Sequence, residues 1–267
     1  MDYYVVEGGI PLEGEIAISG AKNAALPIIV ASLLADGKTT LSNVPDLADI
    51  RTIIKVIECL GAKTAFDAKK NILTIEVDGI KNDKVPYDLV KTMRASVYVM
   101  GPLLGRIGEA DVSLPGGCAI GERPVDIHLS GFEALGTTIE LDSGYIKART
   151  PKLKGATFKM RTISVGATAN LLMGAVLADG QTILENCALE PDIVDLGEFL
   201  IKMGAKIEGL GTDRIIITGV PKLNPVSYSI MPDRIEAGTY LLAAAATRGK
   251  LRLTNIVPAH IGSLIDT

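Results

Sequence analysis

Leu34-Ala35-Asp36-Gly37-Lys38-Thr39-Thr40-Leu41 returns far downstream as Leu177-Ala178-Asp179-Gly180-Gln181-Thr182-Ile183-Leu184. Gly108 and Gly249 sit in the same setting, each after a hydrophobic helix-like segment and before a strand-like one. The four glycines are spaced by 71, 72 and 69 residues. A second marker keeps the period: Leu60-Gly61-Ala62-Lys63, Leu135-Gly136-Thr137-Thr138 and Met203-Gly204-Ala205-Lys206 each end an amphipathic segment. Self-similarity at such a period means one supersecondary unit used several times.

Within a unit the pattern reads helix, strand, helix, strand, turn, strand. The first helices (24–35, 95–104, 167–178 and 237–247) are apolar nearly all round, which belongs in an interior. The second helices (47–60, 125–135 and 193–203) mix apolar and charged residues, as half-exposed helices do. Closing strands alternate, as in residues 71–77 and 214–218, and are expected to form small sheets over the helices. Three units around a pseudo-threefold axis, helices inside and sheets outside, is the simplest assembly. Residues 21–229 are expected to form this three-repeat domain. Residues 230–267 begin a fourth unit that stops short, and the N-terminal strand, about residues 4–18, is expected to pair with it. Residues 1–20 and 230–267 therefore read as an incomplete second domain.

With 48% hydrophobic residues, 4% aromatics and no tryptophan, the core must be aliphatic. Three distant cysteines without C-x-x-C spacing fit neither a disulfide framework nor a zinc site, and suit a reducing cytoplasm. The N-terminus lacks the basic and apolar regions of a signal peptide. The longest apolar runs are too short to span a bilayer. A net charge of −4 gives no global attraction to nucleic acid or anionic membrane, so an anionic ligand must be held by local cations.

Those cations gather at the starts of the buried helices. Ser19-Gly-Ala-Lys22-Asn23, Lys91-Thr-Met-Arg94-Ala-Ser96 and Arg161-Thr-Ile-Ser164-Val-Gly166 combine charge with small or hydroxyl residues, where backbone N–H groups already favour anions. A phosphate-bearing ligand is expected at their shared end. Cys118 lies in a loop of glycines and prolines, Leu114-Pro-Gly-Gly-Cys118-Ala-Ile-Gly-Glu-Arg123-Pro124-Val125-Asp126. Arg123 would favour its thiolate if the loop folds back. Cys59 and Cys187 read as apolar fillers. His128 reads as structural or as a loop anchor, and Asp126 and Asp233 as hydrogen-bond acceptors or helix caps. Phosphate-binding loops, dinucleotide turns and metal-ligand motifs are all missing.

The segments S-G-A-K-N-A-A-L-P (19–27), P-Y-D-L-V-K-T-M-R-A-S (86–96), L-P-G-G-C-x-I-G-x-R-P-V-D (114–126), S-V-G-A-T (164–168) and P-D-R-I-E (232–236) give the chain a family likeness over its whole length. It resembles the UDP-N-acetylglucosamine 1-carboxyvinyltransferases, enolpyruvyl transferases of peptidoglycan precursor synthesis. The resemblance implies an inside-out α/β barrel of two three-repeat domains. It also implies transfer of the enolpyruvyl group of phosphoenolpyruvate to the sugar 3-hydroxyl of UDP-N-acetylglucosamine, with release of phosphate. By the same likeness Cys118 is the general acid and the thiol alkylated by fosfomycin. Lys22 and Arg123 match the phosphoenolpyruvate cations, and Asn23 the contact to the sugar and reacting centre. Arg94 with Arg123, Pro124, Val125, Asp126 and Ile127 matches the UDP-sugar site, and Ser164 and Val165 its diphosphate side. No metal or organic cofactor is implied. Thr162 departs from the lysine that some members carry two residues before S-V-G-A-T. The family continues beyond Thr267 with a catalytic aspartate and further arginines, so the chain alone is expected to be inactive and to need the missing C-terminal part. Two alternatives are a UDP-sugar-binding fragment without turnover, and a 3-phosphoshikimate 1-carboxyvinyltransferase. The latter lacks the cysteine loop and the P-V-D segment.

Overall fold

A computed structural model of the chain describes residues 3–90, 93–114 and 125–266. Strand β1 (Glu13–Ala17) comes first. The first unit contains α1 (Lys22–Ala31), β2 (Gly37–Ser42), α2 (Ala48–Cys59), β3 (Lys63–Asp67) and β4 (Ile72–Val77). A link with β5 (Lys84–Val85) and the short α3 (Tyr87–Val90) leads to the second. That unit holds a 3-10 turn (Arg94–Val99), α4 (Met100–Ile107), β6 (Glu109–Ser113), α5 (Asp126–Ala134), β7 (Thr138–Asp142) and β8 (Tyr145–Arg149). After β9 (Thr157–Lys159), the third unit runs α6 (Val165–Ala175), β10 (Gln181–Glu185), α7 (Pro191–Met203), β11 (Lys206–Glu208) and β12 (Arg214–Thr218). Beyond β13 (Ser227–Ser229) lie α8 (Arg234–Thr247), β14 (Lys250–Thr254) and α9 (Gly262–Ile265).

The apolar helices of the three complete units are inside, as their composition requires. Helix α8, expected inside on the same ground, buries only Ala237 and Gly238 because it packs chiefly on β14 and the turn that follows it. Every residue from Ala24 to Ala31 in α1 and from Ala167 to Ala175 in α6 is buried. Each of the larger aliphatic side chains contributes about 1.5–3 kcal/mol to the core. Helices α4 and α6 meet closely at Gly101, where an added Cβ would lie 2.6 Å from the Asn170 carbonyl oxygen. The marker glycines Gly37, Gly108 and Gly180 all take positive φ, between 73° and 112°, to turn each helix end into its strand.

Two further expectations need correction. The helix expected over 95–104 is a 3-10 turn followed by α4, which begins at Met100 and ends at Ile107. Pro102 has no N–H to sustain α-helical bonding further back, but it is tolerated within the first turn of a helix that starts at Met100. The N-terminal strand is only β1, with residues 3–12 outside any strand; it pairs in parallel with β14 of the fourth unit.

The sheet of each complete unit also has a fourth strand, too short to be recognised by alternation, and it comes from one of the links between units. Thus β5 lies parallel to β6, and β9 parallel to β10. The last link turns back: β13 lies parallel to β2 of the first unit, which closes the ring. The resulting orders are β13-β2-β4-β3, β5-β6-β8-β7 and β11-β12-β10-β9.

An asparagine clamp recurs six residues after the marker glycine. Asn43, Asn186 and Asn255 take φ of 56°, 59° and 50°. Their Nδ2 groups donate to the carbonyls of Ile230 at 2.9 Å, Met160 at 2.9 Å and Ile18 at 2.6 Å. Each clamp holds the chain just ahead of a helix start. In the second unit the same place is Leu114, where the cysteine-bearing loop departs.

Candidate functional site

The buried helices start at one end of the assembly, and a cavity of about 430 Å³ opens there. Asn23 and Leu26 of α1, Ala95, Val97 and Tyr98 of the 3-10 turn, and Ser164, Val165 and Gly166 at the start of α6 line it. His128 of α5 adds to the wall, with Glu190, Asp192 and Arg234 at the starts of α7 and α8. The sequence-expected residues Asn23, Ser164 and Val165 therefore share one cavity.

Local structure explains why these positions are open to a ligand. The N-cap residue of α1, Ala21, has no side chain that could cap the helix; Lys22 N donates instead to Asp233 Oδ2 at 3.4 Å. Pro27 inside α1 has no N–H to offer the Asn23 carbonyl, one turn back on the cavity wall. Ser164 caps α6 by accepting from Ala167 N–H at 3.2 Å, which leaves its hydroxyl proton to give elsewhere.

Lys22, Val125, Asp126 and Ile127, also expected, are not among the residues that line the cavity. Lys22 Nζ is held 2.8 Å from Asp49 Oδ2 in the first turn of α2, both side chains being 39% exposed. Val125 is the buried N-cap residue of α5, and Ile127 is half-buried against the core. Asp126 does not cap the helix. It pairs with Arg161, and its Oδ1 is buried without a hydrogen-bond partner among the described residues. Arg94 opens the 3-10 turn, but its side chain lies outside the described residues, as do Cys118, Arg123 and Pro124.

Several lining residues were not singled out by sequence reasoning. Arg234 stood inside a quoted motif without a role; its Nε is 3.1 Å from Asp192 Oδ2, which is nearly inaccessible. Glu190 also lines the cavity, with Oε2 buried and unpartnered among the described residues. Asp233 caps α8 as expected, accepting from Ile235 N at 2.8 Å and Glu236 N at 3.1 Å. His128 is buried, as the structural reading expects, and it also lines the cavity. Cys187 is a buried filler whose thiol is pushed up to about 11 by burial, whereas Cys59 is partly exposed.

Behind the cavity, α7 grips the connection that leads into α8. Asp195, 7% exposed, accepts from Tyr228 Oη at 2.7 Å and from Met231 N at 3.2 Å. Burial pushes its carboxyl up to about 6 despite both hydrogen bonds. The Tyr228 hydroxyl is raised by its own burial and by the Asp195 charge. Among the described residues no group of three or more His, Cys, Asp or Glu side chains could hold a metal ion, and no helix is long and apolar enough to cross a membrane.

Comparison with known proteins adds the following. The EPSP synthase (3-phosphoshikimate 1-carboxyvinyltransferase) family matches residues 6–266. A UDP-N-acetylglucosamine 1-carboxyvinyltransferase of Cellvibrio japonicus is 57% identical over 99% of this chain and 63% of its own length. One from Saccharophagus degradans is 57% identical over 95% of this chain and 60% of its own. The chain thus spans about three fifths of the length of the curated relatives it matches. Among solved structures, the enolpyruvyl transferase NikO from Streptomyces tendae superposes with a TM-score of 0.77 at 25% identity, covering 88% of this chain and 55% of that one. EPSP synthase from Acinetobacter baumannii gives 0.76 at 19% identity over 97% of this chain and 59% of its own, a likeness of fold.

Proposed function

The chain belongs to the EPSP synthase family of carboxyvinyltransferases and has the inside-out α/β fold of enolpyruvyl transferases. On that premise we propose that the protein of which it is part transfers the enolpyruvyl group of phosphoenolpyruvate to the 3-hydroxyl of UDP-N-acetylglucosamine, in the cytoplasm, for peptidoglycan synthesis. The observation that carries this reading is the 57% identity to transferases of that name over 99% of the chain. The meeting of Asn23, Ser164 and Val165 in one cavity at the helix starts supports it.

In this reading the sugar hydroxyl oxygen bonds to C2 of phosphoenolpyruvate while C3 gains a proton, and the hydroxyl proton passes to a base. The tetrahedral adduct then loses phosphate from C2 and a proton from C3, leaving the enolpyruvyl ether. Cys118 gives the proton to C3. Lys22 and Arg123 carry the phosphate charge, with Lys22 exchanging Asp49 for the substrate. Asn23 orients the reacting oxygen. Arg94, Arg123, Pro124, Val125, Asp126 and Ile127 hold the nucleotide sugar, and Ser164 and Val165 its diphosphate at the start of α6. Residues 21–229 form the domain that carries this wall. Residues 1–20 and 230–267 belong to the second, whose remaining part supplies the opposing wall and the base. With one wall the substrates stay in water, where each ion pair is weak.

Phosphate release tests the proposal. Residues 1–267 with both substrates should release essentially none, and adding the C-terminal remainder that the relatives carry should restore turnover. Release that follows shikimate 3-phosphate instead of the UDP-sugar would overturn the substrate assignment. Sustained UDP-sugar-dependent release by residues 1–267 alone would overturn the two-wall mechanism.

A further inference from the structure

At the centre of α6, where Thr168 is the other buried polar side chain, Asn170 is wholly buried. Counting back from the marker glycines, its counterparts are Pro27 in the first unit and Tyr98 in the second. A buried amide is costly unless bonded, and Asn170 makes three hydrogen bonds. Its Oδ1 accepts from Gly101 N–H at 2.8 Å. Its Nδ2 donates to the Val97 carbonyl at 3.0 Å and faces His128 Nδ1 at 3.0 Å.

These partners permit one orientation only. Gly101 N–H can only donate and the Val97 carbonyl can only accept, so the amide cannot be flipped. An amide nitrogen does not accept hydrogen bonds, so His128 Nδ1 must be the acceptor. The proton of the neutral ring is therefore on Nε2, and protonating Nδ1 would set N–H against N–H. The Nε2 edge lies beside the start of α6: a Cβ added at Gly166 would come within 3.2 Å of it. His128, Ser164, Val165 and Gly166 line the same cavity.

We propose that Asn170 is a positioning residue that fixes His128 as a neutral Nε2–H donor on the cavity wall, aimed at an oxygen of the bound nucleotide sugar. The ligand half of this assignment rests on the function proposed above, and the tautomer half does not. The chain has two histidines, so ring-nitrogen NMR of the 15N-labelled protein, with a His260→Gln variant for assignment, reads each directly. His128 should show a bare Nδ1 and a protonated Nε2 at pH 7; the other tautomer, a mixture or an imidazolium overturns the role of Asn170. Asn170→Asp, which sets an acceptor against Nδ1, should move a proton there. An unchanged ring in that variant also overturns the role, and if the variant does not fold the wild-type spectrum decides. Titration with UDP-N-acetylglucosamine should shift the Nε2 resonance. His128→Leu should weaken binding about ten- to a hundredfold, the worth of a hydrogen bond to a charged group. His128→Gln, which keeps an N–H near the same place, should recover most of that loss. Equal losses, or a silent Nε2 during binding, overturn the ligand contact. Absence of any binding even with the C-terminal remainder of the relatives added overturns the function reading, while the tautomer still decides Asn170.

Discussion

Acid should relieve the fold of a strain centred on Asp195. Its carboxyl rises from an ordinary 3.8 to about 6 in the folded chain, so the native state holds that proton more tightly than the unfolded state does. Stability from this group is complete below about pH 4 and is lost as pH climbs through 6. A shift of about two units corresponds to about 3 kcal/mol that the ionised carboxylate subtracts at neutrality. About 2 kcal/mol of this falls between pH 4.5 and 7. Other carboxylates pull the opposite way: Asp36, for example, is held low by its hydrogen bonds to Arg106 and Gly79. The measurement must therefore be a difference. Asp195→Asn keeps one acceptor for Tyr228 and turns a donor toward Met231 N, a pH-independent cost of about 1–3 kcal/mol. Urea unfolding of both proteins by circular dichroism, at half-unit steps from pH 4.5 to 7.5, should show wild type losing about 2 kcal/mol relative to the variant as pH rises, then levelling off. A difference that stays flat across the range would refute the reasoning.

Under a slight excess of maleimide, Cys118 should label first, and peptide mass mapping should find Cys187 last because its thiol is buried and pushed to about 11; preferential adducts on Cys59 or Cys187 would count against Cys118 as the reactive thiol. Asn186→Gly should cost about 1 kcal/mol by losing the clamp bond, and Asn186→Ala about 1–2 kcal/mol more because alanine resists the left-handed backbone; equal melting temperatures for the two would contradict this account. Limited proteolysis should leave a resistant core near residues 21–229, whereas early cuts within Ala167–Ala178 would contradict the domain assignment.

The glycine-marked repeat and the four apolar helices carried most of the architecture, because both signals extend over many residues. Strands of two or three residues such as β5, β9 and β13 leave no such trace. Their place is set by pairing with a neighbour rather than by their own alternation. The Asn43, Asn186 and Asn255 clamp was readable at the same period, yet asparagine after a strand looks like any turn. In the site, Asn23, Ser164 and Val165 stood at helix starts where anion chemistry is predictable. Glu190, Asp192 and Arg234 reach the same cavity only because the starts of α7 and α8 meet, where Arg234 pairs with Asp192, and no local pattern encodes that meeting. Asn170 was not singled out in the sequence, and its meaning comes from the three groups that surround it.

The return of β13 to β2 has a consequence for how the chain is made. Thr40, Leu41 and Ser42 find their parallel partners only in Ser227, Tyr228 and Ser229. A ribosome that has finished the first unit has therefore produced a sheet with an open edge, and that edge stays unsatisfied until the third unit and its trailing link have emerged. Pairing across so long a loop is slow, and unpaired edges attract other chains. Nascent or truncated forms that end before residue 227 should thus depend on chaperones, and a stop introduced there should produce aggregates rather than a smaller folded domain.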